Sequence, residues 1–173
     1  MKILDLFSGM GGFSQAFKDR GHRVVTVDII PDFHPELCTD IMDYEPGEYF
    51  DVVLASPPCI EFSKSALPMS WAGNKVPPNP DTKLVKRAFE IIQMVMPRYW
   101  VIENVRGAVP FFKPILGKPV KKIGSRYLWG VFPIFDCKPL YGKEKIGPCE
   151  NRPSIRSMIP YELSNALCYA MEG

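Results

Sequence analysis

The chain has 173 residues, 46% of them apolar and 23% charged, with 21 Lys and Arg against 19 Asp and Glu for a net charge of +2. That length fits one domain with a sizeable core, and the near balance of charge excludes a global basic field of the kind that coats a nucleic acid, so any charge signal must be local. No apolar run approaches the roughly 18 residues that cross a bilayer, Met1 to Asp5 meets an acid before a signal-peptide core could form, and the five cysteines are odd in number and contain no Cys-x-x-Cys, which together predict a reduced, cytoplasmic chain with no membrane partner, disulfide framework or metal site.

In chain order, Lys2 to Phe7 reads as a strand, Ser8-Gly9-Met10-Gly11-Gly12 as a turn, and Phe13, Ala16 and Phe17 as one face of a short helix stopped at Gly21. Arg23 to Asp28 is β-branched and ends on a carboxylate, so the first 28 residues predict a βαβ unit with a parallel pair. Asp51 to Ala55 is a buried-strand run. Thr82 to Met96 carries Leu84, Val85, Ala88, Ile91, Ile92 and Val95 at helical spacing, with Asp81 as N-cap and Pro97 closing it. Tyr99 to Glu103 is a strand, Tyr127 to Phe135 two short strands broken by Gly130 and Pro133, and Tyr161 to Met171 a terminal amphipathic helix. The alternation predicts a doubly wound, mostly parallel α/β sheet in a single domain over residues 1–173.

Proline is about 10% of the chain, roughly twice average usage, and predicts ordered loops in the middle of the chain and after Pro110. Lys64 to Asp81, with four prolines, is too long for an ordinary connection and reads as a lid. Lys113 to Arg126 holds Lys113, Lys118, Lys121, Lys122 and Arg126 with no acid, either a solvated loop or a track for a phosphate backbone.

Gly9-Met10-Gly11-Gly12 lies between a strand and a helix, where absent Cβ atoms let backbone amides approach a ligand. The full Gly-x-Gly-x-x-Gly fingerprint is missing because Phe13 and Ser14 follow Gly12. Asp28, at the end of the second strand, is placed to accept both hydroxyls of an adenosine ribose; its bland alternative is a helix cap. Ser56-Pro57-Pro58-Cys59 follows a buried strand at the sheet's carboxyl edge, with two prolines aiming the thiol. A lone cysteine there is either an inert core residue or a nucleophile. Glu103 closes another buried strand, where partial desolvation would raise its pKa and let it hold a proton near neutrality, unless it merely pairs with a nearby Lys or Arg.

Three segments together, Asp5-Leu6-Phe7-Ser8-Gly9-Met10-Gly11-Gly12-Phe13, Pro57-Pro58-Cys59 with Phe62-Ser63, and Glu103-Asn104-Val105, resemble the first, fourth and sixth motifs of the cytosine-C5 DNA methyltransferase family, in the right order on the predicted strand edges. Ser157-Met158-Ile159-Pro160-Tyr161-Glu162-Leu163 is similar to the family's last motif. The resemblance implies the Rossmann-like fold of S-adenosylmethionine-dependent methyltransferases, with Cys59 as the nucleophile that adds to C6 of cytosine and Glu103 as the acid at N3. It further implies that Phe7 stacks on adenine, that Gly9, Met10 and Gly11 line the methionine end, that Asp28 holds the ribose and Asp40 the adenine amino group, and that Pro57 and Ser157 border S-adenosylmethionine.

Departures concentrate on the substrate side. Ile60-Glu61 stands where the family usually has Gln, and of the Gln-x-Arg-x-Arg motif only Arg126 carries over. Between Phe135 and Ser157 there are about twenty residues where the family has a separate DNA target-recognition lobe. DNA is therefore the substrate the family implies, with a free cytosine nucleotide, or DNA read with help from a partner chain, as rivals. A catalytically inactive partner subunit keeps the fold but leaves Cys59 and Glu103 unexplained, and an NAD-dependent oxidoreductase is disfavoured by the broken glycine fingerprint.

Overall fold

The computed structural model describes residues 1–62, 80–137 and 158–173. Its centre is a seven-stranded sheet in the order β3-β2-β1-β4-β5-β7-β6, formed by β1 (Lys2–Leu6), β2 (Arg23–Asp28), β3 (Leu37–Cys38), β4 (Val52–Ala55), β5 (Tyr99–Val105), β6 (Lys121–Ile123) and β7 (Arg126–Val131). The first five strands pair in parallel, and β7 runs antiparallel to both β5 and β6. The expected doubly wound, mostly parallel sheet is the one observed.

Strand periodicity divides the core into two layers, because successive side chains point to opposite faces. Leu4, Leu6, Val25, Val27, Val53, Ala55 and Ile102 pack on one face against α2 (Lys83–Val95) and α3 (Val109–Leu116). Ile3, Val24, Val52, Leu54, Val101 and Leu128 pack on the other against α1 (Gln15–Asp19) and α4 (Tyr161–Glu172). The strands are apolar on both faces because helices cover both. No helix of the described residues is long and apolar enough to cross a membrane.

The C-terminal helix locks onto the N-terminal unit. Ser164 Oγ donates to the Phe13 carbonyl at 2.7 Å and accepts from the Ala16 amide at 3.2 Å, both buried, so one hydroxyl from α4 satisfies backbone groups around the start of α1. At the far end of the same helix pair Glu172 takes hydrogen bonds from Arg20 and shares one with His22 at 2.8 Å.

Several local expectations are corrected. Thr82, not Asp81, is the N-cap of α2, although Asp81 Oδ1 still accepts from the Lys83 amide at 2.8 Å, and Met96 in the left-handed region ends the helix just before Pro97. The segment expected to be loop after Pro110 contains α3: Pro110 falls in its first turn, where its missing N–H costs nothing, and Pro114 sits inside a helix only eight residues long. The basic stretch contributes β6, and the two strands expected over Tyr127 to Phe135 are one, β7, with Gly130 inside it. Gly130 is required by pairing, because a Cβ there would stand 1.9 Å from the Trp100 carbonyl oxygen of β5. The proposed lid lies, from 63 to 79, outside the described residues.

Candidate active site

The parallel strands β1, β2, β4 and β5 bring their carboxyl ends to one edge, where ligands of open α/β sheets bind. At β1 the chain leaves the sheet through an unusual backbone: Phe7 has φ 58°, Gly9 φ 50° and Gly11 φ 79°. Asp28 at the end of β2 fixes this turn, its Oδ2 accepting from the Gly9 amide at 2.7 Å and its Oδ1 from the Ile30 amide at 2.9 Å. Each carboxylate oxygen keeps a lone pair for a further donor. The space beside Gly9 is open, since a Cβ there would meet nothing within 4 Å, and Met10 is exposed. Gly12 instead is packed against the C-terminal segment, where a Cβ would stand 2.6 Å from the Ile159 carbonyl oxygen. Asp40, beyond β3, turns Oδ1 back to the Met42 amide at 2.9 Å.

Asp5 is a participant that motif reading left without a role. It is fully buried on the α1 side of β1, accepts from Ser14 Oγ at 2.5 Å through Oδ2, and has no partner at Oδ1. Burial pushes its carboxyl up to about 7, against the opposing influence of Ser14 and Lys18. The Ser8 hydroxyl, 7% exposed, likewise has no partner.

At β4 and β5 the site is assembled by side chains. Ser56 to Cys59 leave β4, and the Asn104 side chain, buried, donates to the Pro57 carbonyl at 2.9 Å while its own oxygen accepts from the Val105 amide at 2.9 Å. Beyond the half-buried Cys59 a single turn, Ile60–Phe62, drives Phe62 between Phe111 and Phe112 of α3, with ring centroids at 5.9 and 5.2 Å. Gly107 packs so closely on this turn that a Cβ would stand 1.9 Å from the Phe62 carbonyl oxygen. The Cys59 loop is therefore braced on both sides of the thiol.

Glu103 does not end its strand, as the sequence suggested, but lies within β5 opposite Leu128 of β7, because the antiparallel partner carries the strand two residues further. It is 6% exposed, and Arg126 Nη1 donates to its Oε1 at 3.0 Å. Burial raises the Glu103 carboxyl, and the pairing with Arg126 partly offsets that. Arg126 Nη2 also donates to the Met158 carbonyl at 2.8 Å, tying the C-terminal segment to the same carboxylate. The Cys59 thiol is raised first by burial and then by Glu103, and is lowered by Arg126. Cys59, Glu103 and Arg126 thus form one electrostatic unit. Ser157 lies outside the described residues.

The candidate metal-type grouping among the described residues is elsewhere: His22, Cys168 and Glu172 offer atoms within 4.8 Å of one another at the amino ends of β1 and β2. Glu172 there is already engaged by Arg20 and His22, and the His22 Nδ1 faces the N-terminal amine at 3.1 Å, so the group latches α4 to the N-terminus.

A mostly parallel sheet of this order with a glycine turn after β1 is the Rossmann-like α/β fold, and a solved structure described as a prophage-encoded DNA modification methyltransferase from E. coli shares it, with TM-score 0.51 and 21% identity over 76% of this chain and 46% of that one. The family model described as C-5 cytosine-specific DNA methylase matches residues 1–113, and the chain belongs to that family. A relative from Frog virus 3 (isolate Goorha), named "Probable DNA (cytosine-5)-methyltransferase", is 38% identical over 115 residues, 60% of this chain and 53% of the relative. The type II methyltransferase M.DdeI of Desulfomicrobium norvegicum is 27% identical over 151 residues, 73% of this chain and 34% of its own length. The chain spans about half of the viral relative and about a third of the bacterial one.

Proposed function

We propose that the chain is a catalytic domain, one unit over residues 1–173, that transfers a methyl group from S-adenosylmethionine to C5 of cytosine in DNA. The observation that supports this most is the convergence of a braced, half-buried thiol and a buried carboxyl on one cation, Arg126. Membership in the C-5 cytosine-specific DNA methylase family supplies the substrate class. The free thiols of Cys38, Cys59 and Cys168 suit a reducing, cytoplasmic setting.

The residues at the β1–β2 edge fit the cofactor. Open space at Gly9, the unpartnered Ser8 hydroxyl, and Asp28 with lone pairs to spare make a cradle for an amino-acid tail and a ribose. Phe7, Gly9, Met10, Gly11, Asp28, Asp40, Pro57 and Ser157 are the residues proposed to hold it. When bound, S-adenosylmethionine supplies an electrophilic methyl group.

C5 of cytosine is too weakly nucleophilic to accept that methyl unaided. Cys59 Sγ, as thiolate, adds to C6 and forms an S–C6 bond while Glu103 donates a proton or hydrogen bond at N3, shifting electron density onto C5. Burial raises the Glu103 carboxyl and so favours the protonated form this role needs, while Arg126 favours the Cys59 thiolate against the larger opposing effects of burial and Glu103. After methylation, loss of the C5 proton to a base and expulsion of Cys59 restore aromaticity. Asn104 holds the Pro57 carbonyl and so the direction of the thiol.

The test is incubation of the protein with labelled S-adenosylmethionine and, in parallel, duplex DNA, single-stranded DNA, RNA and cytidine nucleotides. Label in DNA at C5 is the expected result. Label in free nucleotide alone would move the substrate, label only after a partner chain is added would place target reading in that partner, and no label with any of them, despite cofactor binding, would contradict catalysis.

A further inference from the structure

Ser8, Gly9, Met10 and Gly11 share a small pocket with Lys18 of α1 and His34. Lys18 reaches over the glycine turn: its Nζ lies 3.9 Å from where a Cβ on Gly11 would stand. Two carboxylates come close enough to feel its charge, Asp5 and Glu36. Neither takes it. Glu36 is held by both terminal nitrogens of Arg23, and Asp5 is buried on Ser14. Among the described residues the Lys18 ammonium makes no hydrogen bond or ion pair, and the Ser8 hydroxyl in the same pocket is buried without a partner. An uncommitted cation and an uncommitted hydroxyl donor around a turn of missing side chains make a receptor for a small carboxylate, since charge-assisted hydrogen bonds to an anion are the strong ones.

We propose that Lys18, assisted by Ser8, is the residue by which this chain recognises the carboxylate of the amino-acid end of its cofactor. This rests on the S-adenosylmethionine reading above and adds a charged side chain to a turn otherwise expected to bind through its backbone. Lys18 is exposed and on a helix surface, so its replacement leaves the core intact.

The experiment is calorimetric binding, without DNA, of S-adenosylmethionine and of its decarboxylated analogue to wild type, Lys18→Met, Lys18→Arg and Ser8→Ala. Wild type should prefer the carboxylate-bearing ligand by about tenfold or more. Lys18→Met should lose most of that preference while binding the decarboxylated analogue as wild type does, Lys18→Arg should keep it, and Ser8→Ala should lose a smaller part. Equal weakening of both ligands by Lys18→Met, or no change in either, would overturn the assignment and leave Lys18 as a counter-charge to Asp5. Failure of wild type to bind either ligand would overturn the cofactor reading itself and this assignment with it.

Discussion

The two halves of the sheet's carboxyl edge are built by different means. At β1 and β2 the shape comes from the backbone: Phe7, Gly9 and Gly11 take positive φ, and one side chain, Asp28, pins the turn through an amide nineteen positions back. At β4 and β5 the backbone is regular strand, and shape comes from side chains that cross between elements, Asn104 to Pro57, Phe62 into α3, and Arg126 to both Glu103 and Met158. A site made from backbone conformation loses a contact when one side chain is cut. A cross-braced site loses geometry and electrostatics together, because each brace serves several groups.

That contrast predicts steeper losses on the β4–β5 side. Glu103→Gln keeps the shape but cannot deliver a proton, so single-turnover methyl transfer should fall by about 10²- to 10⁴-fold with cofactor affinity unchanged. An effect under tenfold would remove Glu103 as the acid.

Arg126→Ala should come next. It removes the cation that lowers both Cys59 and Glu103, so both pKa values rise. Where the rate follows thiolate formation, its ascending limb with pH should move to higher pH, and turnover at neutral pH should drop by roughly tenfold or more. Arg126→Lys should recover part of the shift. A limb that stays in place would mean that Arg126 braces Met158 without tuning the thiol.

On the β1–β2 side Asp28→Ala should weaken S-adenosylmethionine binding by about tenfold, the scale of one or two lost charge-assisted hydrogen bonds, while turnover at saturating cofactor stays near wild type. Calorimetry with unchanged affinity would take Asp28 out of the site.

Asp5→Asn should change turnover least and the pH dependence of stability most. The folded-state pKa of Asp5 is raised from 3.8 to about 7, so the folded chain holds this proton more tightly than the unfolded one. Its contribution is fully present below about pH 4 and is lost as pH rises through about 7. Asparagine keeps the acceptor for Ser14 but cannot ionise, so the Tm of the variant relative to wild type should climb between pH 4 and pH 8. Parallel Tm curves would contradict a protonated buried Asp5.

The same contrast explains what could be read from the sequence. The glycine turn, Asp28 and the strand from Arg23 to Asp28 are local signals, and they were legible because turn chemistry and strand periodicity act over a few residues. Cys59 and Glu103 were legible only as residue types at strand edges. Their braces were not, since Asn104 to Pro57 spans 47 residues and Arg126 to Met158 spans 32, and no local pattern encodes such pairs. Asp5 had a signal that went unused: alternation puts it on the same core-facing side as Ile3, where a carboxylate needs an explanation. Helix α3 was hidden by Pro110 and Pro114, and β3 and β6 by being two and three residues long, stabilised by pairing rather than by propensity.

The central claim is that Cys59 forms a covalent bond to C6 of the target cytosine. Duplex DNA carrying 5-fluorocytosine tests it directly, because fluorine cannot leave C5 as the proton does and the thioether bond persists. Wild type with S-adenosylmethionine should give a denaturation-resistant protein–DNA adduct whose peptide map places the DNA on Cys59, and Cys59→Ala, folded and still binding cofactor, should give none. An adduct formed equally by Cys59→Ala, or methylation of ordinary cytosine by that variant, would contradict the account.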